Sequence, residues 1–209
     1  MKRAIYACDV GSIRQGNFAW TRIDPSNQEK PDGDGDIARL CSRLISDLMN
    51  NVSVALGFEA PLFLPVPDSA DNLSQGRSNE GNRSCFAPAG AYVATLALHQ
   101  TAWIFKRLHD ARLNFHSTFD WHLWQSNNTV PVLLCWEAFI SGKHKGPSHK
   151  KDSEKAAKLF LKFEGKLVTP EDDVTAERPL SLVAAAALWA GICQKPDLIC
   201  CDCLVLKPS

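Results

Sequence analysis

The sequence predicts an α/β fold in which a mixed sheet carries helices on both faces. Two observations carry this expectation. Residues 52–58 and 131–137 are nearly unbroken apolar runs, the pattern of strands buried on both faces in a parallel sheet. Between and around them lie segments with helical periodicity, so the chain reads hairpin, helix, strand, helix, strand, helices.

Taken in order, Ala4-Ile5-Tyr6-Ala7-Cys8-Asp9-Val10 is the first strand and Asn17-Phe18-Ala19-Trp20-Thr21-Arg22-Ile23 the second. Gly11 and Gly16 bracket the turn between them, which makes a hairpin. Residues 24–36 hold two prolines, two glycines and several acids and are expected as a loop. Asp36 caps a helix over roughly 37–50, with Ile37, Leu40, Leu44, Ile45 and Leu48 on one face. After the 52–58 strand, residues 66–87 are a long loop of the kind that carries function. Pro88 opens a helix through about Arg112. Pro131-Val132-Leu133-Leu134-Cys135-Trp136-Glu137 is the next buried strand, and residues 141–151 are a Gly/Lys/His loop. Asp152 caps a helix to about Phe163, Pro179 starts an apolar helix through Ile192, and residues 198–206 form a last strand.

The 209 residues fit one domain, 1–209, with no internal repeat. Lys plus Arg and Asp plus Glu each total 23, so overall charge gives no sign of a polyanionic partner and only a local patch remains open. No run reaches the apolar length of a membrane span, so no membrane partner is expected. The start at Met1-Lys2-Arg3 leads straight into a strand without a signal-peptide pattern, which predicts a cytoplasmic protein. The eight cysteines are accordingly expected as reduced thiols.

Asp9 ends the first strand, and Glu59 ends the strand that begins at Val52. An acid closing a buried strand needs a partner or a cation. In open α/β sheets the ligand site lies beyond the carboxyl ends of the strands, where Glu137 also sits. Carboxylates from distant parts of a chain hold Mg²⁺ or Mn²⁺, and such centres activate water and stabilise the leaving oxygen of a phosphodiester. Asp9, Glu59 and Glu137 are therefore the candidate catalytic and metal ligands. Asp152, Asp172, Asp173 and Glu177 lie at or near helix starts, and Asp173 is taken as the fourth ligand.

Cys8-Asp9-Val10-Gly11-Ser12 followed by Gly16-Asn17-Phe18-Ala19-Trp20 resembles the first hairpin of the RNase H-like superfamily. Phe58-Glu59-Ala60-Pro61-Leu62 resembles the acid-Ala/Ile-Pro-Leu motif of its predicted-nuclease branch, and Arg83, Trp136-Glu137 and an Ala-rich last helix extend the likeness. The resemblance implies a divalent-metal-dependent nuclease or phosphodiesterase. Its pattern also implies a late acid about one turn before the Ala-rich stretch, where this chain reads Leu180-Ser181-Leu182-Val183.

Lys143, His144, Lys145, His149, Lys150, Lys151, Lys155 and Lys158 form a basic stretch after Glu137; its Lys143, Lys145, Lys150 and Lys151, with Arg77 and Arg83, are the candidate contact to a phosphate backbone, against the simpler reading of a solvated surface. Trp121 and Trp124 are read as core more readily than as base-stacking residues. Cys200-Cys201-Asp202-Cys203 lacks the second pair that a zinc site wants. Two other classes stay open: a binding module that keeps this fold without catalysis, and an actin-like or sugar-kinase-type ATPase. The latter needs a second lobe and a second Asp-x-Gly loop, which the chain lacks.

Overall fold

The structure, a computed structural model, describes residues 1–81, 84–127, 129–140, 144–166 and 174–208, the side chains of Gln28 and Glu29 excepted. Strands β1 (Lys2–Asp9), β2 (Ala19–Asp24) and β3 (Asn27–Asp32) form an antiparallel meander, so the 24–36 segment expected as a loop supplies a third strand. Helix α1 (Ile37–Met49) then crosses to β4 (Val52–Glu59), which pairs parallel with β1. Its cap is the expected one: the Asp36 carboxylate accepts from the amides of Ala38 and Arg39.

A short strand β5 (Phe63–Pro65) follows, then the long helix α2 (Pro88–Asp110), with proline at its first position. Strand β6 (His116–Thr118) and helix α3 (Trp121–Ser126) lie in a stretch where no element was expected. Strand β7 (Val132–Ala138) lies parallel to β4, and helix α4 (His149–Glu164) follows it. Pro179–Ser181 is a strand, β8, paired with β5, so helix α5 is only Leu182–Ala190. The expected last strand is reduced to β9 (Val205–Leu206), which continues the edge of β7 that β6 begins.

The main sheet runs β3-β2-β1-β4-β7-β6, with β9 beside β7. Alternation along each strand sorts side chains onto two faces. Tyr6, Cys8, Leu56, Phe58, Leu133 and Cys135 point to the face covered by α1, α2 and α5. Ile5, Ala7, Ala55, Leu134 and Trp136 point to the face covered by α3 and α4. The α/β mixed sheet with helices on both faces is thus present.

Helix α4 packs close for a local reason. Gly57 stands in register with Trp136, and a Cβ there would come within 2.2 Å of the Trp136 ring. The indole therefore lies over Gly57 and meets Phe160 of α4 with ring centroids 4.8 Å apart. Ala156 and Ala157 add small side chains on the same helix face, and the Ser153 and Thr21 hydroxyls bond at 2.8 Å between helix and sheet.

Arg77 is buried and Ser78 pairs with Thr175 across the backbone. Among the described residues no helix is long and apolar enough to cross a membrane. All eight cysteines are free thiols, five of them buried; Cys203 is one of those, while Cys200 and Cys201 are exposed.

Candidate metal centre

Asp9 and Glu59 end adjacent parallel strands and stand directly opposite each other in the β1–β4 register. By the parity of their strands both side chains point to the α4 face. The first turn of α4 brings Asp152 to the same place. Ligand atoms of Asp9, Glu59 and Asp152 all lie within 4.8 Å of one another. The three are 3%, 9% and 4% exposed, so the acids form a nearly buried cluster rather than a solvated patch.

The segment leading into α4 and the first residue of that helix supply what compensation the cluster has. His149 Nδ1 lies 2.5 Å from Asp9 Oδ2. Lys145 Nζ lies 3.1 Å from Glu59 Oε1. The Gly146 amide donates to Asp152 Oδ1. No N–H or O–H donor among the described residues meets the buried Glu59 Oε2; with one proton between them, Glu59 and Asp9 hydrogen-bond to each other.

Burial pushes the Glu59 carboxyl up to about 8; the neighbouring Asp9 charge adds to this and Lys145 works against it. Burial also raises Asp9, while His149 and Lys145 pull it back. Lys145 feels burial as a downward pull, but the Glu59 and Asp9 charges outweigh it and raise its pKa. Three acids thus crowd a nearly buried place beside the Lys145 ammonium and the His149 ring, and Glu59, raised to about 8, holds at neutral pH a proton that a cation would displace. That donor set suits a hard divalent cation, whose preferred ligands are carboxylate oxygens.

Glu137 differs from expectation. In the register of β7 it stands beside Phe58, not Glu59, and so points to the opposite face of the sheet. There it is fully buried and tied down. Arg77 Nη1 and Nη2 each donate to it at 2.7 Å, and the Leu62 amide donates at 2.9 Å. Burial raises its pKa and Arg77 lowers it again. The residue in line with Asp9 and Glu59 on β7 is Ala138, which has no ligand to offer.

Arg77 is likewise unavailable as a phosphate contact. Its side chain is 0% exposed and bridges Glu80 and Glu137 while stacking over the Phe63 ring. Of the expected basic residues, Lys145 stands at the cluster, whereas Lys150 is exposed and Lys151 pairs with Glu154 on the outer side of α4. Arg83, Lys143 and Asp173 lie outside the described residues, as does Asp172. Glu177 is exposed on the approach to β8, and Ser181 caps α5 through the Ala184 amide. Trp121 and Trp124 are core residues under α4.

From the sequence, Asp152 is a helix cap and one of the acids near helix starts, with Asp173 taken as the fourth ligand. The cap is Ser148, whose hydroxyl accepts from the Lys151 amide, and α4 starts at His149. Asp152 therefore lies within the helix. It stands four and eight residues before Ala156 and Phe160, on the stripe that faces the sheet. From the sequence, His149 is only a member of the basic stretch after Glu137.

Beside the acids opens a cavity of about 250 Å³, lined by Asp9, Glu59 and Lys145 and by an apolar wall that includes Pro61, Val93 and Phe139. No family model, curated protein or solved structure matches the chain.

Proposed function

We propose that the protein is a divalent-metal-dependent nuclease or phosphodiesterase of RNase H-like type. The observation that carries this reading is the cluster of Asp9, Glu59 and Asp152, with Glu59 Oε2 buried and met by no donor among the described residues. The sheet order, an antiparallel meander followed by parallel strands, is compatible with an RNase H-like sheet. The site also stands at the carboxyl ends of two parallel strands, where α/β sheets place their ligands.

Asp9, Glu59 and Asp152 would hold Mg²⁺ or Mn²⁺. The cation supplies Lewis acidity, lowering the pKa of a bound water and countering charge on a phosphate. The chain does the rest. Burial keeps the carboxylates in a setting where each charge acts strongly. The backbone amide of Gly146 orients Asp152, and the His149 ring orients Asp9. Lys145, half-exposed at the rim, offers an ammonium to a phosphate oxygen once it leaves Glu59.

The test is cleavage of labelled DNA and RNA strands with Mg²⁺ or Mn²⁺, using wild type, Asp9→Asn, Glu59→Gln and Asp152→Asn. Each variant is expected to lose at least a hundredfold in rate while keeping its circular dichroism. Full activity in Asp152→Asn, or wild-type cleavage that persists in EDTA, overturns the reading.

One observation favours a second reading, a binding module without catalysis: Lys145 and His149 already stand against two of the three acids. It predicts oligonucleotide binding that EDTA leaves unchanged.

A further inference from the structure

We infer that the cavity beside the acid cluster is a base subsite, and that the substrate is single-stranded nucleic acid which seats one unpaired nucleobase there. The inference rests on the metal-centre reading and narrows its substrate class.

Three features of the cavity point this way. First, its volume, about 250 Å³, approaches the ~300–1,000 Å³ of small-molecule sites and is enough for one ring system. Second, one wall is apolar, with Pro61, Val93, Ile140 and the Phe139 ring, and aromatic side chains are stacking platforms for bases of any sequence. Third, the polar features of the same cavity suit the phosphate attached to that base. Glu59, nine-tenths buried, lines it, and no donor among the described residues meets its Oε2. The first turn of the 23-residue helix α2 also lines it through Ala87, Ala89 and Gly90. Among the described residues no side chain caps that helix and Pro88 has no N–H, so the Ala89 and Gly90 amides are the first-turn donors beside the cavity.

The depth of the acids argues against a duplex. Asp9 and Asp152 are 3% and 4% exposed, so a phosphate reaches them only if its strand bends into the cavity. A paired backbone resists that deformation, whereas a single strand carries its unstacked base along. Enzymes that act on a nucleotide held within a duplex must first extrude it.

The test is fluorescence anisotropy with three labelled probes in Ca²⁺: a single-stranded 12-mer, the same strand with abasic residues at its centre, and the duplex. The intact single strand is expected to bind about tenfold more tightly than either of the others, the scale of one stacked base. Val93→Phe, which fills the cavity, and Phe139→Ala, which removes the platform, are each expected to erase the difference between intact and abasic strands. Equal affinity of the wild type for intact and abasic strands overturns the inference, as does a difference that survives in both variants. Calorimetric Mn²⁺ titration of the wild type is run alongside, and the probe comparison is repeated in EDTA. Absence of Mn²⁺ binding overturns the metal centre, while the base subsite still stands or falls on the intact-to-abasic ratio.

Discussion

Replacing Glu59 by Gln tests whether the cluster is electrostatically incomplete. The Glu59 carboxyl is pushed from its ordinary value of 4.5 to about 8, by burial first and the Asp9 charge second. A raised folded-state pKa means that the folded protein holds a proton that the unfolded chain has released. Stability from this group is therefore complete below about pH 4.5 and is lost as pH rises through about 8. At 1.36 kcal/mol per unit the whole loss is of order 5 kcal/mol, with part of it shared by Asp9. For 209 residues the unfolding entropy is about 0.44 kcal/mol per degree, so the metal-free wild type should lose up to about 11 °C between pH 5 and pH 9 beyond any general trend. Gln copies the neutral acid in shape and cannot ionise, so Glu59→Gln should lack that loss and melt several degrees above wild type at pH 9.

The assay is differential scanning calorimetry of both proteins from pH 5 to 9 in EDTA, then in saturating Mn²⁺. Mn²⁺ is expected to restore the wild type at high pH and to leave Glu59→Gln nearly unmoved, since only a ligand that prefers the folded state raises its melting point. Melting curves of wild type and variant that run parallel across the whole pH range would refute the claim that Glu59 is uncompensated.

Arg77→Met should destabilise the fold by about 3–5 kcal/mol, or about 7–11 °C in melting temperature, because it leaves the buried Glu80 and Glu137 carboxylates without their shared cation; a calorimetric shift under 2 °C contradicts this. Lys145→Ala should raise Mn²⁺ affinity severalfold in titrations without substrate, since Lys145 occupies Glu59 Oε1 in the absence of metal; weaker binding shows that it does not compete. Gly57→Ala should cost about 1–3 kcal/mol in urea unfolding, because the new methyl meets the Trp136 ring at 2.2 Å, and it should weaken Mn²⁺ binding by pushing α4 and Asp152 outward. An unchanged unfolding midpoint for Gly57→Ala removes the argument for how α4 is held.

The parts of this fold legible in the sequence are those with strong local signals. Asp36 before an amphipathic run, Pro88 at a helix start and the two apolar strands each carry their own evidence, and each is in place. Short edge elements escaped because pairing, not propensity, makes them. Asn27–Asp32 holds a proline and several polar residues and is a strand only because β2 lies beside it. Pro179–Ser181 reads as the start of a helix until β5 claims its backbone.

The site divides in the same way. Asp9 and Glu59 were legible because they end their strands. Asp152 was hidden by its neighbour Ser148, an equally good cap four residues upstream that moves the helix start and turns the acid inward. Glu137 was misplaced because Val132–Ala138 is apolar on both faces, and a strand without alternation reveals no parity.

That parity separates two acid systems at one end of the sheet. On the face of α1, α2 and α5, Glu137 is met by two guanidinium nitrogens and a backbone amide, a closed network that specifies how the 66–87 segment packs. On the face of α4, Asp9, Glu59 and Asp152 are met by one group each, the His149 ring, the Lys145 ammonium and the Gly146 amide, and the first two are half-exposed. The two sets have similar burial, so burial does not tell structure from function here. Satisfaction does. A buried carboxylate with a full set of donors resists change and has little affinity left to offer, whereas one with an orphaned oxygen raises the energy of the empty site and so strengthens the binding of whatever cation completes it. Below about pH 8 a proton meets that need in the free protein and a divalent ion must displace it, which is why the pH dependence of stability and the affinity for metal should change together in Glu59→Gln.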